Sequence, residues 1–162
     1  RPSIRAPIFA AFLAIRSRWW VTSGGNTEAA SFINIRAYPP MARTGARPGD
    51  WTVTPLPGQV SALAFTRRYA PPDFRHLQRG VVPEVMEDRW FIVWHDDALW
   101  VHRSATGVCF YRLRFAPADG GFVVTEALAN RDPSQHTGTD DHDIGMLGFL
   151  LDSVLRDVPR RG

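Results

Sequence analysis

Arg89–Ala129 reads RWFIVWH DD ALWVHR SATG VCFYRLRF APADG GFVVTEALA, and this stretch decides the fold. Arg89–His95, Ala98–Arg103, Val108–Phe115 and Gly121–Ala129 are rich in aromatic and β-branched residues, which suit a pleated, half-buried surface. Asp96-Asp97, Ser104–Gly107 and Ala116–Gly120 separate them with residues that favour turns. Strands joined by so few residues must be antiparallel neighbours, because a parallel connection needs a long crossover. The expectation is a β-meander.

Turn length sets the pleat. A two-residue turn at Asp96-Asp97 places His95 opposite Ala98, Val93 opposite Trp100 and Trp90 opposite Arg103. A four-residue turn at Ser104–Gly107 places His102 opposite Cys109 and Trp100 opposite Tyr111. Opposed residues share a face. One face then reads Phe91, Val93, His95, Trp100, His102, Cys109, Tyr111, Leu113 and Phe115. The other reads Trp90, Ile92, Trp94, Leu99, Val101, Arg103, Val108, Phe110, Arg112 and Arg114. The first is the expected seat of a C-terminal helix. A one-residue slip would exchange the faces beyond it.

Downstream, the polar run Asn130–Thr139 leads into Asp140–Val158, where Ile144, Leu147, Leu151, Val154, Leu155 and Val158 recur at helical spacing. Asp140 and Asp141 stand where helix caps and dipole partners belong. Upstream, Gln59–Phe65 alternates as a strand does. Asp73 is the expected cap of a short helix ending at Gly80. The reading is an α+β fold: an antiparallel meander of about four to six strands covered by a C-terminal α-helix. It occupies a single domain over residues 59–158, with 41–58 linker-like from its Gly and Pro content.

Residues 1–40 read as a non-core N-terminal extension, either a mis-assigned start or a targeting segment. They hold five arginines against one acid, a net charge of +4, whereas the remainder is net −1. The chain's overall +3 and pI near 9.7 therefore carry no footprint for nucleic acid in the body, and no nucleic-acid partner is expected. Pro7–Ile15 is an apolar run of nine residues, too short to span a bilayer. The single cysteine, Cys109, excludes an intrachain disulfide and favours a reducing, cytoplasmic setting.

The Trp/Arg face is the candidate ligand surface. Trp90 and Trp94 offer rings over which Arg103, Arg112 and Arg114 can stack, and a guanidinium holds a phosphate or carboxylate with two parallel bonds. Ser104, Thr106 and Gly107 in the adjoining turn add hydroxyl and backbone N–H donors. A flat anionic ligand suits such a surface. The alternative is that both tryptophans are core against the segment around Trp51–Phe65 and the arginines pair with Glu126 or Asp88 at the rim.

His136, His142, Asp140, Asp141 and Asp143 contain metal-ligand types, but helix capping explains the carboxylates and no metal or cofactor is expected. Cys109 opposite His102 keeps a nucleophile–base pair open, although a mid-strand cysteine is ordinarily an inert apolar residue. No phosphate-binding glycine loop is present.

Met86-Glu87-Asp88-Arg89-Trp90, with His102-Arg103-Ser104, Thr106-Gly107, Cys109 and Tyr111, resembles a pattern in a family of small uncharacterised bacterial proteins. The resemblance covers about a quarter of the chain, and Ala105 stands where that pattern usually has tryptophan. It implies a bacterial cytosolic setting and a boundary for the meander, and no mechanism. Two functions follow from the residues. One is a non-catalytic binding or interaction domain for a small phosphate- or nucleotide-like anion or a protein partner. The other is a small enzyme on a nucleotide-like or phosphorylated substrate, with His102 or Glu126 as acid or base.

Overall fold

The computed structural model describes residues 45–85 and 87–156. The expectations for residues 1–40, and the helical position of Val158, lie outside the described residues.

The meander is β3 (Trp90–His95), β4 (Ala98–Arg103), β5 (Cys109–Ala118) and β6 (Gly121–Asn130). It is preceded by β1 (Val60–Ala62), β2 (Arg68–Tyr69) and α1 (Pro71–Arg79), and followed by α2 (Asp140–Arg156). The sheet is six-stranded and antiparallel, in the order β1-β6-β5-β4-β3, with β2 also pairing β6. The ten-residue β6 carries β1 against its C-terminal end and β2 against its N-terminal end.

The β3–β4 hairpin has the expected register throughout: Trp90 opposes Arg103, Val93 opposes Trp100 and His95 opposes Ala98. Asp96 and Asp97 take φ of 50° and 56°, the left-handed pair that a two-residue hairpin turn requires. The β4–β5 pairing differs. His102 opposes Cys109 as expected, but Val101 opposes Tyr111 and Trp100 opposes Arg112. Phe110 is thus an extra residue on β5. A bulge of this kind shifts every later residue by one position. Tyr111, Leu113 and Phe115 therefore join Trp90, Ile92, Trp94, Leu99 and Val101, while Arg112 and Arg114 join Trp100 and His95.

That shift reverses the expected seat of the helices. The core gathers Ile92, Leu99, Val101, Tyr111, Leu113, Phe115, Phe122, Val124, Ala127 and Ala129 from the sheet, with Phe74 and Leu77 of α1 and Leu147, Leu150, Leu151 and Val154 of α2. The helices cover the face that bears Trp90 and Trp94, because the bulge takes Arg112 and Arg114 off it and adds Tyr111, Leu113 and Phe115. With Arg112 and Arg114 on it, that face could not be buried without unpaired charge.

α2 starts at Asp140 as expected, but the caps of both helices differ from the sequence reading. α1 begins at Pro71, after Ala70, with no side-chain cap; Asp73 lies inside its first turn. Proline has no N–H to satisfy, so a capping side chain is dispensable there. In α2 the capping bond comes from Thr139, whose Oγ1 accepts the His142 N–H at 3.3 Å. Asp140, Asp141 and Asp143 occupy the first turn. Residues 45–58 have no helix or strand but are held in place. Trp51 stacks on Phe91 at 6.2 Å and donates its indole N–H to the Ser104 carbonyl, and the Thr54 N–H bonds the Gly107 carbonyl. Among the described residues, no helix is long and apolar enough to cross a membrane.

Candidate functional site

The residues singled out from the sequence divide into five places. Trp94 is half-buried and packs against the core: its ring meets Phe74 edge-on at 5.4 Å and lies 5.9 Å from Phe115. Arg112 and Arg114 lie on the opposite face and share one carboxylate, Glu126, at 2.5 and 3.7 Å. Arg112 also lies over Trp100 at 5.7 Å, and His95 stacks on Trp100 at 5.0 Å.

Ser104 and Thr106 line a shallow depression of about 450 Å³ with Asp50, Trp51 and Thr52. Their hydroxyls already have partners within the chain. Ser104 donates its hydroxyl to the Asp88 carbonyl, and Thr106 accepts the Val108 N–H. The Gly107 N–H goes to the Arg103 carbonyl. Gly107 has φ of 72°, and a Cβ there would stand 2.3 Å from the Thr52 carbonyl oxygen, so glycine lets residues 51–54 lie against this turn.

His102 and Cys109 are the fourth group, opposed as expected and buried. The His102 ring donates through Nδ1 to the Gly107 carbonyl at 3.2 Å. Burial pushes the Cys109 thiol up to about 12, so it stays protonated and is a poor nucleophile. Burial lowers the His102 imidazole from its ordinary value, although its bond to Gly107 opposes the shift. An unfolded histidine gains its proton near pH ~6.5, whereas the buried ring gains it only at lower pH. His102 is therefore neutral to stability above about pH 6.5 and opposes folding as pH falls through that value. A His102→Gln variant is expected to lose less stability than the parent between about pH 7 and pH 5. Equal shifts of the urea midpoint in both chains would assign the acid sensitivity elsewhere.

Trp90 and Arg103 are the fifth group, and around them the structure assembles more than the sequence indicated. The Arg103 guanidinium lies 4.9 Å over the Trp90 ring. Trp90 meets Phe110 edge-on at 5.6 Å, and Phe110 lies 4.5 Å from His136. Behind His136 is Asp143, with none of its surface exposed to solvent. Its carboxylate accepts the Tyr111 hydroxyl at 2.7 Å, His136 Nε2 at 2.9 and 3.1 Å, and Arg131 NH1 at 2.7 Å. Arg131 reaches Asp140 with its other prong at 2.5 Å. Burial and the neighbouring Asp143 both raise the Tyr111 hydroxyl's pKa, which keeps it a hydrogen-bond donor at neutral pH.

The bulge builds this cluster. By turning Tyr111 to the helix side it brings the hydroxyl to Asp143, and Phe110 also reaches that side, against His136. The loop after β6 supplies the rest. Asn130 is fully buried, donates to the Cys109 carbonyl and Gln135, and accepts the Asp132 N–H. The Asp132 carbonyl accepts the N–H groups of Gln135 and His136. A Cβ on Gly138 would stand 2.5 Å from His136 Nε2, so only glycine lets the loop close over the ring.

In the sequence His136 and Asp143 belong to one His/Asp group with Asp140, Asp141 and His142. The structure joins the first two and leaves the other three exposed, and among the described residues no three His, Cys, Asp or Glu side chains converge on a metal position. Arg131 and Asn130 carried no motif that marked them. No protein-family model, no curated protein and no solved structure matches this chain.

Proposed function

We propose that this chain is a non-catalytic binding domain that recognises a small phosphate- or carboxylate-bearing ligand at Arg103 and Trp90. The observation that carries this reading is the state of Arg103. Its guanidinium rests on an indole ring, and among the described residues no carboxylate pairs with it. The neighbouring charges are otherwise engaged: Arg131 with Asp140 and Asp143, Arg112 with Glu126, and Asp88 with the N–H groups of Glu84 and Val85. A stacked guanidinium keeps its in-plane N–H edge for a two-pronged bond to an oxyanion.

An enzyme built on the original acid–base candidates lacks support. His102 is buried, and Glu126 is tied to two arginines on the other side of the sheet from Arg103.

The experiment is calorimetric titration of the full chain with phosphorylated and carboxylated metabolites, repeated on Arg103→Ala. Loss of the charge-assisted contact is expected to weaken binding by about 1.5–3 kcal/mol with the fold intact. Unchanged affinity in Arg103→Ala, or no binding by any anion in the panel, overturns the reading.

A further inference from the structure

The bonds of His136 add a second, different recognition element to the patch. A carboxylate only accepts hydrogen bonds, so the contact with Asp143 places a proton on Nε2. In the neutral ring Nδ1 then carries the lone pair, and among the described residues no donor reaches it. The ring cannot easily turn, because Asp143 holds one edge, Gly138 closes over it and Phe110 packs against it. Arg131 answers the charge of Asp143 from the far side. Trp90, Arg103, Phe110 and His136 are each only partly exposed. They form one continuous run: a cation on an indole, a second ring, and an acceptor of fixed orientation.

We propose that the ligand of this site is a planar aromatic or heteroaromatic ring that bears a phosphate or carboxylate and also an N–H or O–H donor. The anion bonds Arg103, the ring lies on Phe110 and Trp90, and Nδ1 of His136 accepts the donor. This inference rests on the anion-site reading and narrows it to ligands such as purine nucleoside monophosphates. An inorganic anion fills only the Arg103 end. A ring without a donor leaves the oriented His136 nitrogen desolvated and unpaired, which a buried acceptor tolerates poorly.

The test is titration of the full chain with inorganic phosphate, adenosine 5′-monophosphate and its N6,N6-dimethyl derivative, which lacks the exocyclic N–H. The unmodified nucleotide is expected to bind about ten-fold or more tightly than phosphate, because stacking and one hydrogen bond each contribute on that scale. The dimethyl derivative is expected to lose about ten-fold. Nucleotide addition should also shift the Nδ1 resonance of His136 in ¹⁵N spectra, a readout that needs no substitution.

In His136→Phe the two nucleotides should bind alike. Phosphate and nucleotide binding equally through Arg103 overturns the ring subsite while the anion site stands. Equal binding of the two nucleotides by the parent chain, with an unmoved Nδ1 resonance, overturns the acceptor role. Binding of none of the three at Arg103 overturns this inference, and the anion reading beneath it falls as well only if the carboxylated metabolites also fail to bind.

Discussion

Replacing Asp143 by alanine is expected to cost about 3–5 kcal/mol of folding stability, the scale for breaking a buried ion pair from one side. The carboxylate is fully buried and receives three side chains, Tyr111, His136 and Arg131. Removing it leaves the Tyr111 hydroxyl with no partner in a buried setting and one prong of Arg131 beside a cavity. Arg131 retains Asp140, which limits the loss on that side. Tyr111→Phe is expected to cost less, on the order of 1–2 kcal/mol, because a neutral hydroxyl is removed together with its own need for a partner. Urea denaturation with unchanged m-values is the measurement. A loss below about 1 kcal/mol for Asp143→Ala would show that the cluster relaxes into water and does not fix the loop after β6.

Leu151→Ala is the other large effect, expected at about 2–5 kcal/mol. Leu151 has no exposed surface and sits on the face of α2 that joins the core with Leu147, Leu150 and Val154. Truncation leaves a cavity between α2 and the sheet that close-packed neighbours fill only in part. Phe149→Ala on the same helix is the control: that ring is 62% exposed, so its removal should cost far less. Similar losses for the two variants would mean that α2 does not use this face against the sheet.

The meander was legible from Arg89–Ala129 because local chemistry fixes it. Asp-Asp at 96–97 accepts the left-handed turn, and a two-residue turn leaves one register. The amphipathic spacing from Ile144 to Leu155 likewise marked α2, since helical period depends only on neighbours along the chain. The β4–β5 register was beyond that logic. His102 opposing Cys109 was read correctly, and a single extra residue, Phe110, altered every pairing after it.

No side chain in Val108–Phe115 announces a bulge. What favours it is the whole-sheet arrangement: without it, Arg112 and Arg114 would face the helices and Leu113 and Phe115 would face away. The candidate site divides in the same manner. Trp90 opposite Arg103 followed from the hairpin, so a cation over an indole was available to sequence reasoning. His136 and Asp143 were visible only as members of a loose His/Asp group. Their pairing needs Tyr111 and Arg131, from β5 and the end of β6, to converge on the first turn of α2.

By itself, then, the sequence determined the α+β class, the four strands of the meander, the first hairpin register and the helix that follows. All of these rest on turn geometry and side-chain period over a few residues. Only the tertiary structure decided which face is buried and which polar groups meet. For β5 a slip of one residue costs little locally but exchanges the two faces, and the choice is made by burying the apolar one against helices that lie more than twenty residues from that strand in the chain.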